Sequence, residues 1–117
     1  MVRVTLSRDQ LLGKHQRPVQ RVSTPELTGD ILIRALNPRE STDLWNAMKA
    51  TEDYGELCVM QIAAFVSDES GNPVFKTQEE AGAFVDTISV VVAVRIIKAG
   101  SELNDVSQKG VEKAGGN

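Results

Sequence analysis

The run LCVMQIAAFV, residues 57–66, places the strongest constraint on what this chain can fold into. Leu57, Cys58, Val59, Met60, Ile62, Ala63, Ala64, Phe65 and Val66 are apolar nearly all the way round a helix, so no face is suited to water. Such a helix, expected over residues 54–67, must be wrapped by other elements or form part of an interface. The remaining 25% charged residues and the lack of an 18-residue apolar run describe a soluble domain without a membrane span.

The elements that could do the wrapping are marked by their start signals. Ser7-Arg-Asp-Gln10 is a capping box ahead of Leu11-Leu12 and Gly13, giving one short helix. Apolar residues then alternate, with Val19 and Val22 in one run, Ile31 and Ile33 in another, and Pro25 and Gly29 between them. That pattern predicts a β-hairpin with strands near 18–24 and 28–36. Asn37 as cap, Pro38 at the first helical position and Glu40 three residues after the cap start a helix to about residue 50. Its Leu44, Trp45, Ala47 and Met48 cluster to one side, leaving Glu40, Asp43 and Lys49 for water. Thr77-Gln-Glu-Glu80 is a second capping box and opens a helix over 77–85. The run ISVVVAVRII is rich in β-branched residues that favour strands. Its length, a cap at Asp86 or Thr87, Lys98 near its end and Gly100 just past it favour a helix over 87–99.

These elements make an α+β fold, a mainly helical domain with an N-terminal β-hairpin. Residues 1–17 read as an arm with a short helix, 18–100 as a single domain and 101–117, polar and glycine-ended, as a flexible tail.

Several function classes lack their residues. One cysteine, Cys58, and one histidine, His15, cannot form a disulfide or a Cys/His zinc set. Cys58 lies in the apolar helix far from His15 in sequence and reads as an inert buried thiol. No nucleophile elbow, metalloprotease, phosphate-loop or dinucleotide fingerprint occurs, so the chain is expected not to be an enzyme and to need no cofactor. The N-terminus has no apolar signal core, which points to the cytoplasm. Residues 1–36 carry +3 and residues 37–117 carry −6. The basic groups of the first part are scattered with no aromatic residue among them, so a nucleic-acid surface is not expected.

SDESGNPVFKTQE, residues 67–79, raises the question of a calcium loop, because Asp68, Ser70, Asn72 and Glu79 approach the EF-hand order. Pro73 stands where that loop needs a glycine, and Lys76 would set a cation beside the ion. A calcium-binding helix-loop-helix is therefore the weaker reading. The stronger one is a helix connector turned at Asn72-Pro73 and anchored by Val74 and Phe75.

What stands out is apolar content without chemistry. Trp45, Met48, Met60 and the valine-rich last helix are either core, which a domain of 117 residues needs, or an adaptable surface for another protein. The order of elements points further. LSRDQLLGKHQRPVQRV, then GDILIRALNPRESTDLW, then VSDESGNPVFKTQEEAGAFVD and a final RIIKAGSELN, spanning residues 5–104, resemble the tail assembly chaperones of long-tailed bacteriophages. The RDQLL arm before the hairpin, the RALNPRE helix entry, and the DESGNPVF connector with its TQEE restart carry the resemblance.

That resemblance implies a non-enzymatic protein of the host bacterial cytoplasm, absent from the mature virion. It would bind and solubilise the tape measure protein, help recruit the major tail protein, and self-associate as a homo-oligomer. It also implies a longer product made by frameshifting, with which the KAGGN end is compatible. On this reading the partner-covering surface is expected to include Trp45, Met48, Leu57, Met60, Val90, Val94 and Ile97. A structural connector or minor tail protein of the virion is the alternative.

Overall fold

The structure is a computed structural model and describes residues 3–105. Among them the order is α1 (Arg8–Leu12), β1 (Val19–Thr24), a 3-10 turn (Pro25–Leu27), β2 (Gly29–Arg34), α2 (Pro38–Lys49), α3 (Tyr54–Phe65), β3 (Val66–Ser67), α4 (Gln78–Val85) and α5 (Val90–Leu103). This is the expected α+β fold, with the hairpin ahead of the helices.

The hairpin pairs Val19 with Arg34 and Val22 with Ile31, and Thr28 takes the left-handed conformation (φ 57°) where the 3-10 turn hands over to β2. One face carries Val22, Thr24, Ile31 and Ile33, because directly opposed residues of an antiparallel pair share a face. Against that face packs α5, with α3 on its other side, and Val22, Ile33, Ile62, Phe65, Val66, Val92, Ala93 and Ile96 form the core. The enclosed helix is thus α3, with Cys58, Ile62, Ala63 and Phe65 buried.

Several boundaries differ from expectation. The helix expected to reach residue 67 stops at Phe65, since Val66 and Ser67 pair with Ile33 and Leu32 as a third strand. The following turn is made at Asp68–Gly71 and not at Asn72-Pro73. Gly71 (φ 83°) supplies the left-handed residue, and Asp68 Oδ1 accepts the backbone N–H of Ser70 and of Asn72. Phe75 stacks on Phe84 at 5.3 Å as an anchor, whereas Val74 is exposed.

The last helix is shifted. Ser89 is its cap, accepting from the Val92 N–H, and residues 86–88 form a turn closing α4. Gly100 does not end α5. It sits inside the helix beneath the Phe65 ring, where a Cβ would come 2.2 Å from Cδ2, so glycine serves a close helix-to-helix approach. Residues 101–103 of the expected tail are helical, and Asn104 then ties the end of α5 to the hairpin. Its Oδ1 accepts from Leu36 N at 2.6 Å, and its Nδ2 donates to the carbonyls of Arg34 and Gly100. The rest of the expected tail, 106–117, lies outside the described residues.

Candidate interaction surface

The start of α2 builds one side of the surface. Asn37 caps it, Pro38 opens it, and the capping box with Glu40 is complete. Glu40 was expected in water, yet it is half-buried and serves a second purpose. It pairs with Arg17 through one oxygen and with Arg34 through the other, the latter at 3.2 Å. Arg34, only 6% exposed, also donates from Nε to the Ala64 carbonyl at 2.8 Å. Burial pushes the Glu40 carboxyl upward, but the Asn37 N–H and the two guanidinium groups outweigh it and hold the pKa below the usual range. This cluster fastens the root of the arm, the hairpin, α2 and α3 together. Net charge gave no sign of it.

Beyond it α2 lies along α3 and the end of α5, leaving an open groove of about 630 Å3. Leu36, Leu44, Trp45, Met48 and Phe65 supply its apolar lining, and Ser41, Thr42, Gln61, Ser101, Asn104 and Asp105 its polar lining. Trp45 is 60% exposed, and the Lys49 ammonium lies 5.4 Å from its ring.

A separate surface lies on α5. The helix buries Val92, Ala93, Ile96 and Gly100, which fall on one side at 3.6 residues per turn. Val90, Val91 and Val94 fall on the other side and are 64%, 65% and 46% exposed. No described element covers them.

The expected surface residues are therefore not one patch. Trp45 and Met48 line the groove. Leu57 and Met60 are half-buried on α3 and share a helical stripe with the groove residue Gln61, without lining the groove themselves. Val90 and Val94 form the outer face of α5, while Ile97 is half-buried and packs against the core. Val91, not anticipated, belongs with Val90 and Val94. Its signal was available, since it neighbours Val90 and Val94 on the helix side away from Ile96. Four further exposed apolar residues, Val4, Leu6, Leu11 and Leu12, sit on the arm.

Among the described residues no group of three or more His, Cys, Asp or Glu side chains is placed to hold a metal ion, and no helix is long and apolar enough to cross a membrane. The arrangement offers apolar contact at two separate places. No protein-family model matches the sequence, and no curated protein matches it.

The fold is that of a phage tail assembly chaperone, as the resemblance of the sequence implies. It is similar to a solved structure of the tail assembly chaperone of bacteriophage HK97, with a TM-score of 0.57 over 86% of this chain and 95% of that one. The two are 19% identical, so what they share is the course of the backbone.

Proposed function

We propose that this protein is a tail assembly chaperone that covers apolar helical segments of a phage tape measure protein. It keeps that protein soluble and extended and helps bring major tail protein to it, with no bond made or broken. The observation that carries this reading is the uncovered valine face of α5 on a fold shared with a tail assembly chaperone. Side chains of that kind are stabilised by about 1 kcal/mol or more each when a partner buries them. The open groove at Trp45 and Met48 adds a second apolar surface, and methionine suits contacts of variable shape. Repeated copies along one long client would turn weak contacts into firm binding, which favours a homo-oligomer. The protein would act in the host cytoplasm and leave before the virion is complete. A longer frameshifted product would carry the same α+β domain.

Co-expression with the tape measure protein of the same phage tests this. The client should move from the insoluble to the soluble fraction, and a Val90→Asp/Val94→Asp variant should lose most of that effect. A client equally insoluble with the chaperone in excess overturns the reading, and recovery of this protein from purified mature particles points to a structural connector.

A further inference from the structure

We propose that a single amphipathic helix of the client lies along the outer side of α5, touching the valine face at one end and the groove beside Trp45 at the other, with a carboxylate of its own over Lys98. The inference deepens the function proposed above and rests on it.

The two apolar places share one side of α5. On an α-helix of this register Val90, Val94 and Ser101 fall within about 40° of one another, on the side opposite Val92 and Ile96. Ser101 is also a wall of the groove, so the stripe that starts at the exposed valines runs into the surface formed by Leu44, Trp45 and Met48. From Val90 to Ser101 is about three turns, or roughly 16 Å. A second helix packed lengthwise repeats its own apolar side chains at the same pitch and meets both ends at once. The ends differ in character. Val90 and Val94 are stiff at χ1, so covering them orders little, while Trp45 and Met48 lie on an open surface that adapts to the side chain it receives.

Charge selects what lies between. Lys98 stands on this side between Val94 and Ser101, is exposed, and forms no ion pair among the described residues. Arg95 is already held by Glu26 through two hydrogen bonds. Glu102, the next acid along α5, makes no ion pair with Lys98 and lies about 100° round the helix from Ser101. At the groove end the Lys49 ammonium over the Trp45 ring is a second cation, and Asp105 is already engaged. An occupant apolar at both ends therefore gains from an acid in the middle and loses from a base there. Apolar burial supplies most of the affinity, since an exposed ion pair contributes little.

Trp45, the sole tryptophan of the chain, reports on the groove end. The probe is a capped, alanine-based helical peptide of about twenty residues, with two leucine pairs about three turns apart on one side and a glutamate between them. Titrated into the full chain, it should bind and shift the Trp45 emission. Val90→Asp/Val94→Asp, checked for folding by circular dichroism, should weaken the affinity read at Trp45 at least about tenfold, although the valines lie at the far end of the stripe. Turning one leucine pair to the opposite side of the peptide should cost as much. Lys98→Glu should weaken the glutamate peptide about two- to fivefold and favour its lysine counterpart by a similar factor. A peptide that does not bind, an affinity unchanged in the valine variant, equal binding of the two leucine arrangements, or a Lys98→Glu variant that still prefers glutamate overturns the proposal. So does a Trp45 emission that changes with protein concentration alone and ceases to in the valine variant, because a second copy then fills the stripe. Failure with the peptides while client solubility still depends on Val90 and Val94 sinks this inference alone. A peptide that spans both ends beside a client that stays insoluble sinks the proposed function alone.

Discussion

The two sides of α5 are built from nearly the same residues and have opposite fates. Val92 and Ile96 are 2% and 0% exposed, locked between α3 and the hairpin, while Val90 and Val91, one or two positions away, are about two-thirds exposed. A helix whose only task was to complete the core would carry polar groups on its outer side. The contrast separates what the fold requires from what it leaves for something else. It also separates the interlocked contact of Phe65 with Gly100 from the open groove nearby, although Phe65 borders both.

The largest effect that bears on this contrast comes from truncating each side in turn. Ile96→Ala should lower unfolding stability by about 2–5 kcal/mol, and Val94→Ala should change it by no more than about 0.5 kcal/mol, read by urea denaturation. Equal losses would mean that the outer valines are structural. Next comes Gly100→Ala. Its Cβ has no space beneath the Phe65 ring, so the helices must part, at a cost of about 1–3 kcal/mol despite alanine's better helix propensity. Restoration of stability by adding Phe65→Leu would show that the ring is the obstacle.

The two arginine clusters sharpen the same distinction between enclosed and open contacts. Glu40→Gln leaves the buried Arg34 facing a neutral amide and should cost about 1–3 kcal/mol in the same assay. The exposed pair of Arg95 with Glu26, two-pronged at 2.7 and 2.8 Å, should matter less. The Arg95 hydrogen bond, followed by the Glu26 backbone, brings the Glu26 carboxyl down from 4.5 to about 2. A carboxyl lowered in the folded state adds stability above its unfolded pKa and loses it as pH falls through the folded one. The melting temperature of the parent should therefore exceed that of Glu26→Gln by a small constant amount above about pH 5. The difference should shrink below pH 4.5 and vanish below about 2. A difference that persists in strong acid would assign the effect to packing.

Most of the architecture was legible because local signals carried it. The capping boxes at Ser7 and Asn37, the cap at Thr77, and the alternation at Val22, Ile31 and Ile33 need only neighbouring residues to act. At Thr77 the reach-back of Glu80 goes to Lys76 N, one residue earlier than a strict box requires. Two of the misplaced ends share one cause. Val66 and Ser67 leave the helix because β2 offers a ladder, and Gly100 stays within one because Phe65 requires its bareness, so both decisions come from residues more than thirty positions away.

The amino-acid order alone thus determined that α3 would be enclosed and that a hairpin would precede the helices, since period, caps and residue types act over a few positions. Only the tertiary structure decided which apolar residues remained outside. It divided the expected surface between a groove and a valine face, drew Ile97 into the core and gave Glu40 two arginines. Exposure depends on which surfaces meet, and that depends on packing between segments far apart in the chain.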